Sequence, residues 1–283
     1  MEKKIAVTLN NYRFGDQMMA AFFTQLLNDN GFNAVYHIDN GSKNNVNFCH
    51  LLDVPIGSAG DEFPFSYATK DLPFDLADKS HIDTTIRYFK RWANYDGELI
   101  IKTPYVPVKF QIDSFTPPVD VVLVTDVGSY AVTKKWPYFE ELKKILEKNN
   151  ISYVDLSDFG DNWTNNSELL NKVNNLLYKC KVFVGLDTGP THYATGILSK
   201  KHQKNNFIIQ SGFNLFSQWS SHYKDLFQPI ENKQPCAPCV LPNPTNRYVA
   251  PSGTKLPEKC ESNHKCMKEI TPKQVYEYIK NNL

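Results

Sequence analysis

The chain lacks any apolar run near the roughly 20 residues that a membrane span requires, which restricts membrane contact to a peripheral kind. It also lacks a charge excess. Lysine and arginine total 31 against 30 aspartates and glutamates, so a net charge of +1 gives no global field to steer it toward nucleic acid or an anionic bilayer. The opening Met-Glu-Lys-Lys-Ile-Ala-Val-Thr-Leu has an apolar run too short for a signal peptide and no small-residue cleavage site, and it reads as a first strand. The expectation is a cytoplasmic protein, with peripheral contact at the inner membrane left open. On that route the sequons at Asn162 and Asn165 are loop polarity, because nothing delivers them to glycosylation. No repeat of fixed period runs through the chain. Cysteine is scarce until the end, where Cys236, Cys239, Cys260 and Cys266 crowd together after the isolated Cys49 and Cys180.

What is present suits a globular protein. The 283 residues are 41% hydrophobic, 13% aromatic and 22% charged, which excludes a disordered chain and supplies enough apolar material for real cores. That length fits two modest α/β domains better than one large one. Residues 4–9 alternate as a strand. A polar turn follows, and Asp16 opens a segment to about residue 30 with Met18, Met19, Phe22, Leu26 and Leu27 at helical spacing, stopped by Gly31. A strand over 33–38 completes a β-α-β start, the signature of a parallel sheet with right-handed crossovers. From 40 to about 115 the signal is weaker, with proline-containing loops and one helix over 82–93. Its Tyr88, Phe89, Lys90, Arg91 and Trp92 read either as core packing with a solvated rim or as an acceptor-binding surface.

Pro117-Pro118 punctuates the chain, and a regular alternation follows. Strands are expected over 119–125, 152–156, 182–185 and 206–210, with helices over 138–149, 167–178 and 190–198 between them. The last helix, 272–282, has Thr271 as its N-cap and Pro272 at the first helical position. These patterns divide the chain into a first doubly wound α/β domain over 1–117 and a second over 118–283, which carries a cysteine-rich segment at 235–267.

Four groups of residues carry chemistry. Asp187-Thr188-Gly189-Pro190-Thr191-His192 directly follows an apolar strand. Pro190 suits a first helical position, Thr188 or Gly189 suits the cap, and the free amides there form an anion site strengthened by the helix dipole. Such turns lie at the carboxyl ends of strands, where α/β sheets bind ligands, so Asp187 could accept sugar hydroxyls and His192 could donate to a phosphate. The plainer alternative is a routine turn in which Asp187 satisfies local amides. Lys134-Lys135-Trp136-Pro137 shares that edge, where a lysine can neutralise a diphosphate while Trp136 packs under the helix start. Arg13-Phe14-Gly15-Asp16 puts an acidic residue at a helix start. It is either an ordinary dipole partner or a general base facing a cleft. Cys236-x2-Cys239 with Cys260 and Cys266 has the ligand types of a structural zinc or iron site, although the gaps around Cys260 are looser than in tight zinc knuckles and reduced thiols stay open. His264 could substitute as a ligand or be an ordinary loop histidine.

In order along the chain, Gly15-Asp16, Lys134-x-Trp136-Pro137, Asp187-Thr188-Gly189-Pro190-x-His192 and Cys236-x2-Cys239 … Cys266-Met267-x2-Ile270-Thr271-Pro272 … Val275 resemble glycosyltransferase family 9. These are heptosyltransferase-like enzymes of the GT-B fold, in which two Rossmann-like domains face a cleft. The resemblance runs from about residue 119 to the end, and only Gly15-Asp16 carries it in the first half. It implies an inverting transferase that moves a heptose or related sugar from an ADP-linked donor to a hydroxyl acceptor without a catalytic metal. Asp16 would be the base, Lys134 would bind the phosphates with Ser129 as a weaker phosphate candidate, Asp187 would hold sugar hydroxyls, and the Thr188 and Gly189 amides would hold the departing diphosphate. The resemblance also implies a metal, zinc or iron, in the four-cysteine cluster, as in a subset of the family. The first domain is shorter than is usual there, so the acceptor (surface glycan, lipopolysaccharide core, protein or modified nucleobase) is not implied. Two further readings stand beside this one: a non-catalytic nucleotide-sugar-binding module, and a cysteine segment that serves assembly into a homo-oligomer.

Overall fold

The computed structural model describes residues 4–9, 14–38, 48–58, 60–65, 81–127, 132–201, 205–212, 216–219, 221–237, 260 and 262–283. Arg13, Ser129 and Cys239 lie outside the described residues.

The first sheet grows from the expected β-α-β start: β1 (Lys4–Leu9), α1 (Phe14–Asp29) and β2 (Asn33–Ile38). Gly31 has φ +87, a left-handed conformation that glycine adopts without a Cβ penalty, and it turns the chain out of α1 toward β2. β1 pairs in parallel with β2 from Lys4↔Asn33 to Leu9↔Ile38, and on its other side with β3 (Asp61–Phe65). Helix α2 (His81–Trp92) then lays Phe89, Tyr88 and Trp92 against Phe63 of β3, with ring centroids 5.3, 5.3 and 5.4 Å away. Those aromatics pack the core, as the first of the two readings of that face expects.

The second sheet takes β4 (Val121–Val124), β5 (Tyr153–Asp155), β6 (Val182–Leu186), β7 (Asn206–Gln210) and β8 (Gln228–Glu231) in the order β5-β4-β6-β7-β8, all parallel. Helices α3 (Phe139–Lys148), α4 (Ser167–Lys179), α5 (Gly189–Leu198) and α6 (Phe216–Trp219) lie between these strands in sequence. Two more, α7 (Lys265–Lys268) and α8 (Pro272–Lys280), follow. The expected N-cap of α8 is present, with Thr271 Oγ1 accepting from the Gln274 amide at 3.2 Å. Two strands were not expected from the sequence, β3 and β8. Each forms a sheet edge and each contains a proline, Pro64 or Pro229. An edge tolerates a residue that cannot donate to a ladder, whereas a proline in the sequence argues against a strand.

Both sheets reverse strand order. In the first, β2 lies on one side of β1 and β3 on the other; in the second, β5 lies on one side of β4 and β6 on the other. At such a reversal the loops leave in opposite directions and open a crevice at the carboxyl ends of the strands. The turn after β1 leads into α1, and the turns after β4 and β6 carry Lys134 and Asp187. Topology therefore brings together the residues that the sequence spreads over more than half its length.

Helices α1 and α5 are buried on nearly every side: Met18 through Phe23 and Thr191 through Leu198 are all in the interior. A helix apolar all round belongs in a core, and one apolar cluster runs from Ile5 and Phe22 through Val122 to Tyr193 and Ile208, joining the faces of both sheets. The chain between the sheets lies across α5, where the Val106 amide donates to Thr195 Oγ1 at 3.0 Å. It passes so close to Gly196 that a Cβ there would collide with the Val106 carbonyl oxygen and come within 2.5 Å of Val108 Cγ2. Replacing Gly196 with alanine should therefore destabilise the protein by about 1–3 kcal/mol, measured as a lower urea midpoint; an unchanged midpoint would mean that this crossing is loose.

Candidate active site

The turn between β6 and α5 opens a helix that no side chain caps. Thr188 occupies the N-cap in an extended conformation (φ −144, ψ 168), Pro190 fills the first turn, and the first helical bond runs from the His192 amide to the Thr188 carbonyl at 3.1 Å. The Thr188 hydroxyl does not cap the helix, and Thr188 Oγ1, Thr191 Oγ1 and His192 Nδ1 are buried with no hydrogen-bond partner among the described residues. Buried polar groups without partners are rare in folded proteins and mark places where something else completes the bonding. The helix dipole and the uncapped amides favour a negative group here.

Beneath this turn lies a buried ion pair. Lys134, at the end of a short helical turn (Val132–Lys134), reaches Asp187 with Nζ 2.7 Å from Oδ2 and 3.3 Å from the backbone oxygen. The two side chains are 10% and 1% exposed, and His192 Nε2 lies 3.4 Å from Asp187 Oδ1. Burial by itself would raise the Asp187 pKa, but the charge of Lys134 and the contact with His192 outweigh it and hold the carboxyl well below the usual carboxylate range. Asp187 is therefore an anion that holds a lysine on one oxygen, while its other oxygen faces the histidine without a hydrogen bond among the described residues. The sequence reading aimed Lys134 at phosphates and Asp187 at sugar hydroxyls; in this structure the two grip each other, one strand-end apart.

Asp16 stands in the first turn of α1, and the two helix starts touch. A Cβ on Gly189 would lie 2.8 Å from the Gly15 amide nitrogen, and a Cβ on Gly15 would lie 3.4 Å from Gly189 Cα and 3.6 Å from His192 Cδ2. The expected base and the expected anion cradle are thus neighbours through their glycines. Phe14 locks the junction by packing on Phe48, Trp163 and Tyr193 at 4.6, 5.8 and 6.0 Å between centroids. Tyr193 is itself tied to Asn174 Oδ1 at 2.8 Å.

Sequence reasoning missed the floor of this site. His222 and Tyr223 form part of a short helical turn (Ser221–Tyr223) with ring centroids 3.8 Å apart. Tyr223 lies 5.9 Å from the His192 ring and donates to Met19 Sδ at 3.3 Å, one helical turn along α1 from Asp16. Met19 and Asp16 share a helix face. His222 stacks on Phe22 at 4.7 Å, and neither of its ring nitrogens has a hydrogen-bond partner among the described residues. Burial, with a smaller effect from His192, lowers its pKa to about 3. A lone histidine between masking aromatics carries no spacing signal that could have revealed it.

Of the four clustered cysteines, Cys236, Cys260 and Cys266 are described. Burial raises the Cys266 thiol, and the sulfurs of Cys260 and Cys236 add to that rise. Cys260 Sγ accepts from the His264 amide at 3.3 Å. Among the described residues no group of three or more histidine, cysteine, aspartate or glutamate side chains is assembled to hold a metal.

Comparison of the whole structure places this geometry among solved proteins. No family model and no curated protein sequence matches the chain. Its structure is similar to the iron-containing dodecameric glycosyltransferase TibC of enterotoxigenic E. coli H10407, with a TM-score of 0.63 and 14% identity over 99% of this chain and 78% of that one. It is also similar to TibC in complex with ADP-D-beta-D-heptose (TM-score 0.64, 11% identity, 99% of this chain and 76% of that one). A third similar structure is the ADP-heptose lps heptosyltransferase II of E. coli (TM-score 0.51, 14% identity, 98% and 97%). The chain has the heptosyltransferase fold. The GT-B expectation of two Rossmann-like sheets facing a cleft agrees with that likeness. No helix among the described residues is long and apolar enough to cross a membrane.

Two measurements probe the site's electrostatics. Lys134→Met should destabilise the fold by about 3–5 kcal/mol, because it leaves Asp187 as a buried charge without its ammonium. The double replacement Lys134→Gln with Asp187→Asn should recover most of that in urea unfolding; equal stability of Lys134→Met and the parent would show that the pair is solvated. For His222, a folded pKa of about 3 against 6.5 for the free side chain means that the unfolded chain takes up a proton first on acidification. The contribution of neutral His222 is complete above pH 6.5 and is lost as pH falls from there toward 3. The denaturation midpoint should fall less steeply across that window in His222→Phe than in the parent; parallel curves would refute the buried neutral state.

Proposed function

We propose that the protein is an inverting glycosyltransferase that moves a heptose or related sugar from an ADP-linked donor to a hydroxyl acceptor. The observation that carries this is the meeting of two helix starts at Gly15 and Gly189, one carrying Asp16 in its first turn and the other an uncapped turn whose Asp187 is paired with Lys134. The bound nucleotides in similar structures support the choice of donor: TibC is complexed with ADP-D-beta-D-heptose and a further heptosyltransferase, WaaC, with ADP (TM-score 0.52, 10% identity).

In this reading the donor's diphosphate sits at the start of α5. The amides of that turn and the charge of Lys134 bind it, and His192 is the neighbouring donor to a phosphate oxygen. Asp16 removes the proton from the acceptor hydroxyl as its oxygen bonds to the anomeric carbon from the face opposite the diphosphate. The carbon–oxygen bond to the diphosphate breaks, its electron pair leaves with ADP, and the anomeric centre inverts. Negative charge gathers on the departing diphosphate, where fixed dipoles and a buried cation act most strongly. Asp187 serves mainly to hold Lys134 and His192 in place, and its second role, as acceptor for a sugar hydroxyl, needs Lys134 to shift toward the phosphates. No step calls for a metal.

The cysteine cluster is a separate structural site in this reading, with Cys236, Cys239, Cys260 and Cys266 holding zinc or iron. The thiolate donor set suits either ion. A tetrahedral site would staple the segment between Cys239 and Cys260, and TibC, whose structure is iron-containing and dodecameric, supports both a metal and a homo-oligomer. The same reading has the protein work in the cytoplasm, with its two domains divided at residue 117.

Asp16→Asn tests the mechanism. Transfer from an ADP-sugar should fall by about 10²–10⁴-fold while calorimetric ADP affinity stays at the parent value. Parent-level transfer in that variant would remove Asp16 from the chemistry.

A further inference from the structure

The loop that carries Lys134 has an unusual anchor. Trp136, two residues on, is fully buried, and its indole N–H donates to the Ile270 carbonyl at 2.8 Å, across 134 residues of sequence. Ile270 lies between α7 and α8, immediately before the Thr271 cap. The Trp136 ring meets Phe139 at 4.9 Å, nearly perpendicular, and belongs to the cluster that Met267, Ile270, Val275 and Ile279 build with α3. Lys134 itself is held at its tip by Asp187. The loop is therefore pinned twice, once at the lysine's charge and once at the neighbouring indole.

We propose that Trp136 is a positioning residue for Lys134, and that through the Ile270 carbonyl the C-terminal segment sets where the ammonium stands relative to the start of α5. The proposal rests on the reading of that site as a diphosphate site. A lysine side chain is long and flexible, and its ammonium acts on a phosphate as a point charge whose effect depends on distance. Asp187 offers it a place in the resting structure, but ligand binding asks the ammonium to face the diphosphate as well. A loop fixed by an indole bond confines the lysine's base to one position, so less side-chain freedom is lost when the phosphate arrives. The Ile270 carbonyl is buried, so removing its donor also leaves an acceptor without a partner. The position of the loop then depends on a segment that contributes no residue to the site.

Trp136→Phe keeps most of the ring volume and removes the N–H. The test is ADP binding by calorimetry, in the full-length protein, in a cycle with the neutral pair Lys134→Gln/Asp187→Asn. The parent should bind ADP, and Trp136→Phe should bind it about tenfold more weakly, the scale of the ordering a loosened lysine must undergo on binding. In the neutral-pair background the same change should have no further effect, because no ammonium remains to be placed. Equal weakening in both backgrounds, or parent affinity in Trp136→Phe, would overturn the positioning role. A parent that binds no ADP would instead overturn the reading of the site. If Trp136→Phe does not fold, Thr271→Val offers the same cycle by loosening the start of α8 beside Ile270, with the same outcomes deciding.

Discussion

The close approach of two backbones at Gly15 and Gly189 is the constraint on which the rest depends. A side chain at Gly189 would meet the amide of Gly15 at 2.8 Å, so helices α1 and α5 can start side by side only because Gly189 lacks a Cβ, whereas one on Gly15 would stand in ordinary contact at 3.4 Å. Two positive helix ends are brought together there, an arrangement that is unfavourable unless negative charge lies nearby. Asp16 stands in the first turn of α1, and Asp187, paired with Lys134, immediately precedes the Thr188 cap of α5.

Asp187 is the more constrained of the two. Buried ion pairs seldom add net stability, because desolvating two charges offsets most of their attraction. Their usual value lies in fixing geometry, and here one residue holds a lysine through both its carboxylate and its backbone oxygen. The same pattern recurs away from the site. Asp155 is buried at the end of β5, bound to Lys143 at 2.9 Å and to Thr125 at 2.6 Å, and so ties the ends of β4 and β5 together. Polar residues at the carboxyl edge of this sheet bond first to each other and hold the loops still, which is the preorganisation that phosphate binding rewards.

Much of the fold is legible along the chain. The apolar strands β1, β2, β4, β6 and β7 and the helices between them follow from period-2 and period-3.6 patterning, and the cap at Thr271 and stop at Gly31 follow from residue chemistry. The edge strands β3 and β8 were not legible, because Pro64 and Pro229 break the local signal that pairing to one neighbour does not need. The site was legible in part. Lys134, Asp187, Thr188, Gly189 and His192 stand out because a strand-to-helix turn with a proline at its start has local physics of its own. Trp163, His222 and Tyr223 do not stand out, since an aromatic or a histidine in an irregular stretch looks the same whether it forms the floor of a site or faces solvent.

The sequence by itself determined the α/β class, the parallel strands, the candidate anion-binding turn and the identity of the candidate base, because each rests on interactions between residues a few positions apart. Only the tertiary structure decided that Lys134 and Asp187 pair with each other, that Gly15 stands against Gly189, and that Trp136 is bound by the last segment of the chain. Those contacts span from tens of residues to more than a hundred, and strand order alone selects among the partners that the local patterns allow. A sequence specifies which groups can bond; the crossing of strands at the two switch points determines which of them meet.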